Sequence, residues 1–281
     1  MSDIKIFGFV DEADAKFDGQ IEAMRRNNLD GIEIRGVDGV SIADITLDTA
    51  KEVKKKLDDA GFPVWSIGSP IGKIRLDEDF EAHKDKFKNL LEISKILDTN
   101  NMRIFSFFMP KGEDYSLYRN QVIENLCELI EIAKPYDINI CHENEKGIYG
   151  DIASRCLDLL TSVPNLKGIY DPANFLQCGE NTLEAWELLK PYIYYMHIKD
   201  VREDGKIVPA GTGAGEIKEL ARRYIENGGR CFTMEPHLSV FDGLAALENE
   251  DEKSLVGAGD FIFKTTEEAF DAGCTAFKKL I

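Results

Sequence analysis

Ile138-Asn139-Ile140-Cys141-His142-Glu143-Asn144-Glu145 is a run of mostly apolar residues that ends abruptly in carboxylates, and the same construction recurs three more times downstream. Gly168-Ile169-Tyr170 leads into Asp171-Pro172-Ala173-Asn174, Tyr195-Met196 into His197-Ile198-Lys199-Asp200, and Phe232-Thr233-Met234 into Glu235-Pro236-His237. Each run is short and bounded, as a buried strand is. Each is followed by a longer segment whose apolar positions recur every three to four residues, the period of a helix packed on one face. One strand and one such helix make a βα unit.

Working outward, the pattern predicts eight strands, at residues 4–10, 31–35, 63–69, 102–108, 138–144, 168–172, 192–198 and 231–236. It predicts eight helices, at 13–27, 47–60, 80–97, 117–134, 152–161, 183–189, 217–226 and 267–279. Thr46, Asp79, Ser116, Asp151 and Thr182 stand where an N-cap oxygen is wanted, and Gly61 and Gly228 where a left-handed residue ends a helix. Strand starts fall about 32 residues apart, which suits a (β/α)8 TIM barrel. The alternative, an open doubly wound sheet, calls for a glycine-rich phosphate loop after the first strand, and Gly8-Phe9-Val10-Asp11-Glu12 is no such loop. No linker or low-complexity tract divides the chain, so residues 1–281 are read as a single domain. One connection, at 238–266 between the last strand and helix, is long enough to be a lid or an interface.

Composition narrows the partners. With 34 basic against 51 acidic side chains, the net charge of −17 repels a nucleic-acid backbone and an anionic membrane surface. Six cysteines stand singly, with no CxxC, and each reads as a small buried hydrophobe. The first residues lack the basic start and apolar run of a signal peptide, and no apolar stretch approaches membrane-spanning length. These features predict a soluble, reduced, cytoplasmic protein.

In a barrel of this kind function collects at the carboxyl ends of the strands. A Glu, an Asp-Pro-Ala-Asn, a His-Ile-Lys-Asp and a Glu at the ends of strands five to eight resemble the xylose isomerase-like barrels, the sugar phosphate isomerase/epimerase superfamily. The resemblance covers essentially the whole chain. It implies a single divalent metal held by Glu143, Asp171, His197 and Glu235. Three hard carboxylates and one imidazole suit Mn²⁺ first, with Mg²⁺, Co²⁺ or Zn²⁺ as alternatives. The competing reading of Glu143 and Glu235 is as buried partners of Lys or Arg. The resemblance also implies removal of a proton α to a carbonyl through an enediolate, with Glu143 and Glu235 as the acid/base pair.

Strand alternation selects further candidates, because residues two apart share a face. Glu145, Lys199 and His237 follow Glu143, His197 and Glu235 in this way and are candidate substrate contacts. Asn174 joins them, and Lys73 is the residue suited to a phosphate or carboxylate on the substrate. His142 has the opposite parity and is expected behind its strand, while His83 is expected on the surface. Glu33 and Arg35 share a face and pair with each other or reach the site. Trp65, Phe107 and Phe108 are either barrel core or an apolar wall for a sugar ring. Residues 211–216 resemble the family's glycine turn beside the metal.

Endonuclease-four relatives carry a histidine where Asn174 stands and more after strand seven, whereas Val201-Arg202-Glu203-Asp204-Gly205 has none. Four histidines in the whole chain do not assemble that trinuclear pattern. The leading expectation is an isomerase or epimerase of a small polyhydroxy ketone or sugar. The alternative is a metal-dependent lyase, an inosose-type dehydratase or an enzyme cleaving an oxidised glycoside. A non-catalytic binding subunit and an abasic-site endonuclease rank behind. The expected partner is a small carbohydrate, with the 238–266 loop available to cap the pocket or to join a second copy in a homo-oligomer.

Overall fold

The computed structural model describes residues 4–242, 255–256 and 261–281. Eight parallel strands form the barrel: β1 (Lys5–Gly8), β2 (Ile32–Ile34), β3 (Val64–Ile67), β4 (Asn101–Ile104), β5 (Asn139–Glu143), β6 (Lys167–Tyr170), β7 (Ile193–Ile198) and β8 (Cys231–Met234). They hydrogen-bond in the order β1-β8-β7-β6-β5-β4-β3-β2, so each βα unit lies beside the next and β8 returns to β1. The helices around them are α1 (Phe17–Arg26), α2 (Leu47–Ala60), α3 (Phe80–Leu97), α4 (Arg119–Ala133), α5 (Ala153–Ser162), α6 (Pro172–Gln177), α7 (Thr182–Leu189), α8 (Ile217–Glu226) and α9 (Thr266–Lys278). Their apolar faces and the outer faces of the strands make one large core, including Phe87, Leu91, Leu126, Trp186, Tyr224 and Phe277.

The seam between β1 and β2 is closed by a side chain. Asp30 N donates to Ile6 O at 2.7 Å, and the Asp30 carboxylate accepts from Ile6 N at 2.8 Å and Lys5 Nζ at 2.9 Å. One residue thus substitutes for a rung of strand pairing. Asp30→Ala is expected to lower the unfolding free energy by about 2 kcal/mol, since it strips a charged acceptor from a strand amide. The check is a urea titration, in which the midpoint falls and the slope stays constant.

The predicted eight-fold pattern is present, and the differences lie at element ends. Thr46 and Asp79 cap α2 and α3 as expected, and Gly61 and Gly228 are left-handed at φ of +78° and +96°. Asp114 and Asn181, rather than Ser116 and Thr182, supply the N-cap oxygens in their regions. Asp151 instead accepts from Arg155 Nε at 2.9 Å, one helical turn on. The short helix α6 was not expected: Pro172 supplies a ready first helical residue with no N–H to lose. Of the long connection at 238–266, residues 243–254 and 257–260 lie outside the described residues.

Two bulges tune the interior. Register shifts by one residue between Ile32 and Glu33 against β3, and between Gly168 and Ile169 against β7. Such shifts re-aim side chains. They accompany a line of contact across the barrel: Ser66 Oγ to Tyr195 Oη at 3.2 Å, and Tyr195 Oη to Glu33 Oε1 at 2.7 Å. Beside this line, Trp65 stacks on Phe7 with ring centroids 4.9 Å apart and touches Tyr194 and Tyr195.

Candidate metal centre

The carboxyl ends of β5 to β8 bring together the four residues expected as ligands. Glu143, Asp171, His197 and Glu235 are buried, and one ligand atom from each lies within 4.8 Å of all the others. His197 Nδ1 stands 2.8 Å from Glu143 Oε1 and 3.3 Å from Glu235 Oε2. Asp171 sits one residue beyond β6, where its Oδ1 accepts from Asn174 N at 3.0 Å and so caps α6. Its other oxygen is left for the centre.

The donor set fits a divalent cation. Asp171 Oδ2 and Glu235 Oε2 are buried without a hydrogen-bond partner among the described residues. Lys199 Nζ is in ion-pair range of both, at 3.0 and 3.9 Å. Three buried carboxylates that converge with an imidazole nitrogen, with Lys199 as the ammonium beside them, are a donor set that suits a hard divalent cation.

Each outer atom of the set is held from behind. His197 Nε2 faces Glu33 Oε2 at 3.2 Å, and Thr233 Oγ1 and Tyr195 Oη donate to the two oxygens of Glu33. This fixes the ring so that Nδ1 points at the cluster, the usual carboxylate support of a metal-bound histidine. Arg103 Nη1 donates to Glu143 Oε2 at 3.1 Å, and Arg35 Nη1 to Glu235 Oε1 at 3.0 Å. Both guanidinia lie over the Phe9 ring, at 4.7 and 4.4 Å. Glu143 and Glu235 are therefore partners of arginine and members of the cluster at once, one oxygen for each role.

Burial and charge set the protonation. Burial opposes a charged His197, yet Glu143 and Glu33 on either side win and raise its pKa well above the usual value. Burial pushes the Asp171 carboxyl up to about 6, with Lys199 opposing. Burial likewise works against ionised Glu235, but Lys199 and His237 hold its pKa well below the ordinary range. Burial disfavours a charged Lys199 too, and Asp171 and Glu235 raise its pKa nonetheless.

Sequence comparison agrees with this architecture. The profile of the family described as xylose isomerase-like TIM barrel matches residues 21–251. The chain belongs to that family. A 3-dehydroshikimate dehydratase of Bacillus anthracis is 22% identical over 177 residues, which cover 62% of this chain and 63% of that protein. The chain thus aligns with somewhat less than two thirds of that relative's length. A D-psicose 3-epimerase solved in the presence of D-fructose superposes with a TM-score of 0.74 at 18% identity, over 98% of both chains. The IolI protein solved with a bound zinc atom gives 0.72 at 17% identity, over 99% of this chain and 97% of that one. At these identities the structural likenesses establish the fold.

Within the family barrel, the remaining candidates divide by what they touch. Lys199 belongs to the centre. His237, at a left-handed φ of +48°, stacks near Phe241 and places Nε2 3.3 Å from Glu235 Oε1 and from Glu12 Oε1. Asn174 Nδ2 donates to Asn144 O at 2.8 Å, while Asn144 exchanges 2.9 Å hydrogen bonds with the Asp171 backbone. That three-residue lock ties the ends of β5 and β6 and commits the Asn174 amide nitrogen to scaffolding. Glu145 and Lys73 pair with each other at 3.2 Å. Glu33 and Arg35, expected to pair with each other or reach the site, do the latter separately.

One expectation needs correction, and open alternatives resolve. His83 is buried, not on the surface: its Nε2 accepts from Gly72 N at 2.8 Å, and burial brings its pKa down to about 4. Gly72 must be glycine, since φ is +87° and a Cβ would lie 2.1 Å from Phe105 O. Together they set the turn that presents Lys73. Trp65 belongs to the interior stack and Phe107 to the core, so neither walls the site. His142 lies behind β5 as alternation implies, 3.0 Å from Ser106 Oγ. In the glycine turn, the amides of Gly211, Gly213 and Gly215 all donate to the Asp200 carboxylate at 2.8 to 3.0 Å.

Sequence reasoning missed Arg103, Phe9, Phe105 and Glu12. Arg103 sits inside a strand that reads as apolar, and the alternation that put Met102 and Ile104 outward was the available signal for it. Glu12 comes from a single 3-10 turn after β1 and accepts from His237 N at 2.8 Å.

Proposed function

We propose that the chain is a cytoplasmic divalent-metal enzyme that removes a proton α to a carbonyl of a small polyhydroxy ketone or sugar, and that it acts as an isomerase or epimerase. The observation that carries this is the division of labour in Glu143 and Glu235. Each turns one oxygen to the cluster and gives the other to an arginine, and they approach from β5 and β8 on different sides. A metal held by Glu143, Asp171, His197 and Glu235, Mn²⁺ first among the candidates, would polarise the carbonyl and neighbouring hydroxyl oxygens. Glu235, kept ionised by Lys199 and His237, is fit to accept a proton at neutral pH. Glu143 on the other side returns it, or accepts from the opposite epimer. Lys199 stays charged beside Asp171 and stabilises the oxyanion that develops.

A second reading has its own support, the relationship to a 3-dehydroshikimate dehydratase. A lyase begins with the same proton removal and then expels a β leaving group. Incubation of the metal-loaded protein in D₂O with ketose and inosose panels separates the two. Deuterium incorporation with no loss of water is expected for the isomerase; loss of water assigns the lyase. Exchange with neither panel, whichever metal is supplied, overturns both.

A further inference from the structure

The arginines that hold the glutamates also face a cavity. On the β1 to β4 side of the barrel mouth lies a space of about 170 Å³ lined by Arg35, Lys73 and Arg103, with Asp11 and Asp242. Arg35 shows what its guanidinium edge is built for: Nε and Nη2 grip the two oxygens of Asp11 at 2.9 and 3.1 Å. Arg103 presents the same edge with a different filling. Its Nη2 reaches Gly68 O at 3.3 Å, and its Nε has no acceptor among the described residues, in a side chain only 2% exposed. A buried donor of that kind is expensive unless a ligand meets it.

Lys73 stands next to this edge. Its Nζ and the Arg103 Cζ lie over the same Phe105 ring, at 4.4 and 4.9 Å. The Lys73 side chain is 7% exposed and already pairs with Glu145 at 3.2 Å, so it brings a second, partly compensated cation to the same poorly solvated wall. An anion at this edge supplies the acceptor that Arg103 Nε lacks. The planar Nε/Nη2 fork matches the two oxygens of a carboxylate. We propose that this cavity receives a carboxylate of the substrate, so that the reaction runs on a small polyhydroxy keto acid. The assignment rests on the function proposed above and names its substrate class. It also carries a coupling. Glu143, Asp171, Glu235 and Glu33 crowd the adjacent centre, so a carboxylate enters against their charge until a divalent ion offsets it.

The test is calorimetric binding of three ketoses that differ only at carbon six to the full chain, with and without Mg²⁺. They are D-fructose, its 6-carboxylate D-fructuronate, and D-fructose 6-phosphate. Fructuronate is expected to bind the Mg²⁺-loaded protein about tenfold more tightly than fructose, the order of one charge-assisted pair, and more weakly without Mg²⁺. Arg103→Met should erase the preference. Because Arg103 also holds Glu143, Lys73→Met is measured beside it; that variant should reduce the preference and leave Mg²⁺ affinity in place. Equal affinity for fructose and fructuronate, or binding of none of the three, overturns the carboxylate subsite. Tighter binding of the 6-phosphate overturns it in favour of phosphate. Failure of Mg²⁺ itself to bind brings down the functional reading as well, so the two failures are distinguishable.

Discussion

Glu235→Gln is expected to lower turnover by about two to four orders of magnitude while leaving the fold and the bound metal detectable. Glutamine keeps the size of the side chain and an oxygen for Arg35, so the contact at 3.0 Å survives in weaker form. Arg35 also retains Asp11 and Glu12. What disappears is the one carboxylate that Lys199 and His237 keep ionised for proton transfer. Glu143→Gln should fall into the same range. The pair gives a sharper signature than either alone: with two glutamates on different sides, each epimer gives its proton to a different one. A single variant should therefore still exchange deuterium into one epimer while failing to interconvert the two, which NMR of the recovered sugar shows directly. Full turnover in both variants with metal bound would remove the glutamates from the acid/base role.

The parts of this molecule that were legible in its sequence are those set by short-range rules. Strand and helix periods and the N-caps at Thr46 and Asp79 depend on local pattern, while the resemblance to the family barrel is what singled out Glu143, Asp171, His197 and Glu235 among the strand-end residues. The supports of the centre depend on register across the barrel, which local pattern does not encode. Glu33 reaches His197 across the barrel, from β2 to β7, a contact between strands that are distant in the chain. Arg103 is hidden by its neighbours Met102 and Ile104, since an inward charge on a barrel strand looks like an isolated exception in an apolar run. Asn174 carries a scaffold contact that its local sequence does not show. It stands at a position suited to a ligand contact, but the unexpected helix α6 turns its amide onto Asn144. His83 reads as surface because its neighbours are charged, and only the Gly72 turn gives it something to bind.

Affinity for a divalent metal is expected to rise about tenfold per pH unit between roughly pH 6 and 8, with about one proton released per ion bound at pH 7. The sign follows from His197. In the metal-free protein Glu143 and Glu33 overcome burial and hold its pKa well above the usual value, so the ring carries both protons at neutral pH. A ligand Nδ1 must give one up, and the cost of doing so falls as pH rises. Below about pH 6 the slope should steepen, because burial has pushed the Asp171 carboxyl to about 6 and it too must lose a proton. Glu33→Gln separates the two things Glu33 does. Losing its charge behind Nε2 should weaken binding by about ten- to a hundredfold at high pH, where only orientation and ligand basicity matter. It should also lower the His197 pKa, so the competing proton leaves earlier and the variant's pH profile flattens at lower pH. A loss of affinity with no change in profile would make Glu33 a packing residue only. Absence of proton release in the parent protein, measured from the buffer dependence of the binding enthalpy, would remove His197 from the ligand set.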